Sequence, residues 1–191
     1  VSITAPIRGE LFVAGQTVTI ANRPDRSLFA AGETVSVPNG AGYNAFVGGQ
    51  TVTLAGEYGH DVYVVGSSVV LEPGTHIRGS LFAAWIAFTL HGTIDGQVLI
   101  SAEVISSYAV ICGVTAIHAT AMTFSGGSIG GTFYLNERAL TKGLDTVTVS
   151  GSTIRTDEQA STNRADQGTG LSALLKARMT FVTMGVIGGL F

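Results

Sequence analysis

The 191-residue chain has little charge, one cysteine and few prolines. Charged residues make up 12% of it and the net charge is −3, so the broad basic face of a general nucleic-acid-binding protein is not expected. The lone cysteine, Cys112, excludes an intramolecular disulfide and a cysteine-based zinc site. Four prolines and 46% hydrophobic residues, beside 26 glycines, argue against a disordered chain.

An eleven-residue pattern recurs along most of the chain. Its starts are 17 residues apart, except for one step of 19 between Asp61 and Ser80. A fainter copy lies near residues 131–140, and partial copies open the chain (VSITAPIRG) and close the array (DTVTVSGSTI, 145–154). The clear copies are ELFVAGQTVTI (10–20), SLFAAGETVSV (27–37), NAFVGGQTVTL (44–54), DVYVVGSSVVL (61–71), SLFAAWIAFTL (80–90), QVLISAEVISS (97–107) and VTAIHATAMTF (114–124).

Apolar residues occupy fixed offsets of the pattern and alternate with other residues, which is the period of a β-strand. A glycine column (Gly15, Gly32, Gly49, Gly66) lies between the two strand-like halves and is expected to permit a backbone bend. Stacked copies of such a repeat pair each strand with its equivalents above and below. Residues 1–154 are therefore predicted to form an all-β parallel β-helix of about eight 17-residue rungs, roughly 38 Å long.

The repeat resembles that of the bactofilins, polymer-forming cytoskeletal proteins of bacteria. The resemblance lies in units such as ELFVAGQTVTI and DVYVVGSSVVL and in Gly-containing corners such as GTIDG (92–96), and it covers roughly residues 7–154. It implies a right-handed β-helix that polymerises without nucleotide at a membrane. The usual membrane element of the family is N-terminal, whereas the hydrophobic segment here is C-terminal, which is more similar to membrane-anchored relatives.

The composition changes at Arg155. Residues 155–170 are polar and are predicted to be a linker. Residues 171–191 would span about 31 Å as a helix, and are expected either to begin a membrane-spanning helix or to pack as an amphipathic helix on the β-helix or a partner. The residues predicted to form the membrane anchor are Lys176, Arg178, Met179, Phe181, Val182, Val186, Ile187, Leu190 and Phe191.

Two features of the sequence favour opposite faces of the membrane. Arg164, Lys176 and Arg178 favour a cytoplasmic position for the preceding domain. The start at Val1 instead suits an extracytoplasmic protein whose signal peptide was removed.

No catalytic, cofactor or metal site is predicted. His60, His76, His91 and His118 fall at four different offsets, so stacking does not bring them together as metal ligands. The acidic residues are scattered, and there is no phosphate-binding loop. Cys112 is expected to be a small buried residue. These patterns favour a protein that is not an enzyme.

Two ladders of side chains are expected to face outward. The first is aromatic and consists of Phe12, Phe29, Phe46, Tyr63 and Phe82. If these rings point outward they form a lateral interface stripe; in the other strand phase they are core. The second ladder is made of Thr-x-Thr rows such as Thr17–Thr19, which suit an exposed strand and also resemble ice-binding faces.

Unpaired strand edges at both ends of a β-helix can template another chain. Ile3 and Ile7 at one end, and Val147 and Val149 at the other, are therefore predicted to lie near self-association contacts. The leading hypothesis is a structural scaffold that associates with itself, with a lipid membrane and with other membrane proteins. The alternatives are a monomeric binding module, either an adhesin or an ice-binding face, and a β-helix enzyme.

Overall fold

The computed structural model describes residues 1–136 and 138–156. Within them the chain forms a parallel β-solenoid of about nine turns, one more than the repeat count predicted. The additional turn comes from the partial copies at the two ends, which complete strands against their neighbours. The predicted segment 171–191 and all but two residues of the predicted linker lie outside the described residues.

The strands alternate between long and short. In chain order they are β1 (Ser2–Ile3), β2 (Leu11–Ala14), β3 (Thr17–Ile20), β4 (Leu28–Val37), β5 (Gly40–Ala41), β6 (Ala45–Leu54), β7 (Glu57–Tyr58), β8 (Val62–Leu71), β9 (His76–Ile77), β10 (Leu81–Leu90), β11 (Thr93–Ile94), β12 (Val98–Ser107), β13 (Val110–Ile111), β14 (Thr115–Phe124), β15 (Ser128–Ile129), β16 (Phe133–Asn136), β17 (Leu140–Lys142), β18 (Thr148–Val149) and β19 (Thr153–Thr156). A 3-10 helix, Leu144–Thr146, precedes β18.

Each middle turn has three faces. In β4 the inward residues are Leu28 and Ala30 before the corner, but Val35 and Val37 after it, so the alternation changes phase near Gly32. The two halves of the long strands form the first and second faces, and the short strands form the third. All strand pairs in the described residues are parallel and in register with the repeat. The 19-residue step is absorbed between β8 and β9, in a turn where Thr75 N donates to Glu72 O at 3.1 Å.

The predicted apolar columns form the core. Val64 and Val69 are fully buried in the middle of the stack, as are their equivalents in neighbouring turns. The columns continue through successive turns, with the buried polar residues Ser107 and Thr115 in two of them, and the core is one continuous hydrophobic cluster. Each fully buried Val or Leu side chain stabilises such a core by about 1.5–3 kcal/mol.

The third face supplies a further core column, which lies outside the repeat pattern. Its buried residues are Ala41, Tyr58, Ile77, Ile94, Ile111 and Ile129. Burial raises the pKa of Tyr58 far above its ordinary value, and the hydroxyl lies 3.4 Å from Val37 O. The column is carried by strands of two residues, too short to show a period in the sequence.

The glycine column has a different physical reason from the one predicted. Its members do not adopt the left-handed backbone conformation. A Cβ on Gly32 would lie 2.4 Å from Gly15 O, and one on Gly66 would lie 2.6 Å from Gly49 O. At Gly32, Gly49 and Gly66 glycine avoids a close contact with the backbone of the preceding corner and does not serve an unusual φ.

Candidate interaction surfaces

The aromatic ladder points away from the core, as the outward strand phase predicted. Its rings stack nearly parallel from turn to turn, with centroids 4.4 Å apart for Phe12–Phe29 and 4.8 Å apart for Phe29–Phe46. The stacking continues at 4.8 Å through Tyr63 to Phe82. Strand pairing imposes this spacing, and offset stacking adds to the stability of each pair.

The same outward column extends beyond the predicted rings. Register places Leu99, Ala116, Tyr134 and Ile154 in line with Phe82 on the remaining turns. We call the nine residues from Phe12 to Ile154 the apolar stripe; it runs the length of the first face. The sequence predicted this column only as far as Phe82 because its residues change from aromatic to aliphatic there, although Leu99 follows at the regular offset of 17.

Exposure varies along the apolar stripe. Phe12 is 68% exposed, whereas Phe82, Leu99 and Ala116 are only 4%, 8% and 6% exposed. These three form a second hydrophobic cluster, separate from the core, against which Tyr63 and Tyr134 pack.

The N-terminal end of the solenoid exposes the starts of the core columns. Ile3 pairs with Ile20 and lies above one column, and Ile7 O accepts from Asp25 N at 3.0 Å at the head of the third face. Both are partly buried against the core. No strand of residues 1–136 and 138–156 pairs with the outer edges of β1 and β2.

The C-terminal end is more polar than predicted. Val147 and Val149 are partly buried against the core, but the last first-face strand, β19, places Thr153 and Arg155 above Phe133 and Leu135. Arg155 Nη2 donates to Thr141 Oγ1 at 3.0 Å, which links β19 to β17. Inward positions of the last turn therefore carry polar side chains beside the predicted contact residues Val147 and Val149. Arg155 and Thr156, placed in the linker by sequence, belong to β19.

One outward column of the second face is polar in the first turns and apolar in the later ones. Thr17, Thr34, Thr51 and Ser68 share an exposed column. In later turns this column continues as Ala87, Val104, Ala121 and Leu140, with Leu140 72% exposed. The threonine rows therefore face outward. Their first column ends at Ser68, whereas their second column continues with polar residues as Thr89, Ser106 and Thr123.

Trp85 stands where earlier turns have the column glycine. It is paired with Gly66 and has a φ of 136°, the one positive φ among the described non-glycine residues. Such a backbone conformation costs roughly 1–3 kcal/mol in a non-glycine residue. The indole is half exposed, beside the exposed Ile86.

Charged side chains pair on the third face. Glu57 forms ion pairs with Arg78 and, at 3.9 Å, with Arg23. His76 Nε2 lies 2.9 Å from Asp95 Oδ2, and the His60 ring stacks on Tyr43 at 4.8 Å. No group of three or more His, Cys, Asp or Glu side chains in the described ranges is placed to hold a metal ion.

Cys112 is exposed, and the prediction that it is buried is wrong. It follows the inward Ile111 at the end of β13, so strand alternation turns its thiol outward. The short strand gave no periodic signal from which this orientation could be read.

The predicted membrane anchor lies outside the described residues. Within the described part of the chain, no helix is long and apolar enough to cross a bilayer. Comparisons with protein-family models, with curated proteins and with solved structures give no match to this chain. The resemblance to bactofilins therefore rests on the repeat units quoted above.

Proposed function

We propose that this protein is a structural scaffold that associates end to end into filaments at a bacterial membrane, as the bactofilin resemblance implies. The observation that carries the proposal is the apolar first turn of the described solenoid. Core columns begin there at Ile3 and Ile7, which are only partly buried, and the outer edges of β1 and β2 have no paired strand in the described ranges.

End-to-end contact would pair the terminal strand edges and bury the exposed ends of the core columns. Unpaired N–H and C=O groups on a terminal strand can template a further strand. Burial of the exposed column ends is favoured by the same hydrophobic effect that stabilises the stack of turns. At the C-terminal end, Val147 and Val149 offer a smaller apolar area beside the polar Thr153 and Arg155. In this proposal, residues 171–191 attach the scaffold to lipid.

Electron microscopy of the purified full chain at several salt concentrations tests the proposal. We expect filaments, and we expect Ile3→Asp with Ile7→Asp to abolish them and Val147→Asp with Val149→Asp to shorten or abolish them. Thr34→Asp, on the exposed second face, is the matched control and should leave filament length unchanged. Each variant should keep a cooperative melt, because the substituted residues lie at the ends and not in the middle of the core.

Monomers under every condition would contradict the scaffold. The alternative of a monomeric binding module would then be preferred, and glycan or ice binding by that monomer would test it.

A further inference from the structure

The middle of the apolar stripe is buried although its side chains point away from the core. Phe82, Leu99 and Ala116 are at most 8% exposed. Phe29 and Phe46, by contrast, are stacked between rings on both sides and are still only half-buried. Ring stacking by itself therefore does not bury a side chain in this column.

We propose that the C-terminal segment 171–191 of the same chain docks along the apolar stripe. The described structure ends at Thr156 in β19, the strand that carries Ile154, the last member of the stripe. The intervening residues 157–170 would reach roughly 20 Å as a flexible chain. The segment therefore begins within reach of the stripe's C-terminal end.

The dimensions of the segment and the stripe agree. Nine stripe residues at a strand spacing of about 4.8 Å extend over roughly 38 Å, and 21 helical residues extend over about 31 Å. A helix that begins near Tyr134 and runs obliquely toward the first turn would lie over Leu99 and Phe82, leave the column by the half-buried Phe46 and Phe29, and end short of Phe12. This agrees with the 68% exposure of Phe12.

The segment also has a face suited to the stripe. Ser172, Lys176, Thr180 and Thr183 fall at helical spacing on one side. Most of the opposite side is apolar and includes Leu174 and Phe181. Arg178 lies near the middle of that side, and its long side chain lets the charge extend beyond the contact into water. Docking buries this apolar side against an apolar column in water.

This inference concerns the free chain and goes beyond the proposed scaffold function. Docking to the stripe and insertion into lipid use the same apolar side of the segment, so one excludes the other. The stripe is then available for lateral contacts between rods only when the segment has moved into a membrane.

Thiol alkylation of the full chain in lipid-free buffer tests the docking. In a Cys112→Ser background, Leu99→Cys places a thiol under the proposed contact, and Val104→Cys places one on the second face of the same strand, β12, at a residue 48% exposed. We expect the thiol of Leu99→Cys to be alkylated at least about tenfold more slowly than the thiol of Val104→Cys. Adding Phe181→Asp and Val182→Asp should raise its rate about tenfold, as expected for a docking free energy of about 1.4 kcal/mol, and leave Val104→Cys unchanged.

Two results would overturn the docking. A Leu99→Cys rate that does not respond to the two tail substitutions would show that the segment does not cover the stripe. Protection that increases with protein concentration would assign the stripe to a second copy instead. Neither result depends on filament formation, so failure here is distinct from failure of the proposed scaffold function.

Discussion

At the scale of single residues, two buried threonines differ in how their hydroxyl groups are satisfied. Thr115 lies inward between Val98 and Phe133, and its Oγ1 has no hydrogen-bond partner among the described residues. Thr75 Oγ1 donates to Glu72 O at 2.6 Å and lies 3.2 Å from Leu54 O. An unpaired buried hydroxyl costs about 1–3 kcal/mol.

The same substitution should therefore have opposite effects at these two sites. We expect Thr115→Val to raise the free energy of unfolding by about 1 kcal/mol and Thr75→Val to lower it by about 1 kcal/mol or more. Urea denaturation measures both, with Thr123→Val on the exposed second face as a near-neutral control. A destabilising Thr115→Val would mean that the Thr115 hydroxyl has a partner.

Inward positions on the long strands were predictable from sequence. The orientation of Cys112, beside a short strand, was not. Val64 and Val69 sit in ten-residue strands whose alternation fixes their direction. Cys112 follows a two-residue strand, where neither alternation nor composition tells inside from outside. The residue type alone suggested burial, whereas the structure places Ile111 inward and the thiol of the next residue, Cys112, outside.

At the scale of elements, the glycine corners test how closely the turns stack. A Cβ on Gly32 would lie too close to the backbone of the preceding turn. The parallel ladder fixes the backbone of both turns, so neither can shift without weakening its hydrogen bonds. We expect Gly32→Ala to lower the free energy of unfolding by about 1–3 kcal/mol, the usual cost of overpacking. Gly9→Ala is the matched control because nothing lies within 4 Å of its Cβ position.

Thermal or denaturant unfolding measures the free energy of unfolding of both glycine variants. Equal stability of Gly32→Ala and Gly9→Ala would show that the corners can separate to admit a methyl group. Trp85 indicates the alternative route, since it occupies the same column by adopting a φ of 136°.

The strands of the first two faces were predictable because their pattern recurs at a fixed offset in seven copies. The third face was not, because its two-residue strands are defined by pairing with their neighbours and not by local sequence. The polar C-terminal end was missed for a related reason. DTVTVSGSTI has strand-like residues, but register decides that Thr153 and Arg155, not Ile154, take the inward positions.

At the scale of the whole molecule, the two ends of the rod differ. The N-terminal end presents partly buried apolar residues, whereas Arg155 crosses from β19 to β17 at the other end. An end-to-end contact that uses the C-terminal end must keep the Arg155 guanidinium hydrated or give it new acceptors, because burying an unpaired charge is costly. The N-terminal end is therefore expected to contribute more of the association energy.

The proposed attachment to lipid is tested separately from the rod by changing the tail alone. Deleting residues 171–191 should abolish co-sedimentation with phosphatidylcholine vesicles and leave the β-strand circular dichroism spectrum in place, because the core columns lie within residues 1–156.

Replacing only the charges, Lys176→Gln with Arg178→Gln, should preserve binding to neutral vesicles. It should weaken binding to anionic vesicles by roughly 30-fold, since each basic residue near the surface contributes about 1 kcal/mol. A deleted chain that still pellets with vesicles in high salt would place the lipid contact elsewhere, and the exposed Trp85, Ile86 and Val104 on the second face would be the next residues to substitute.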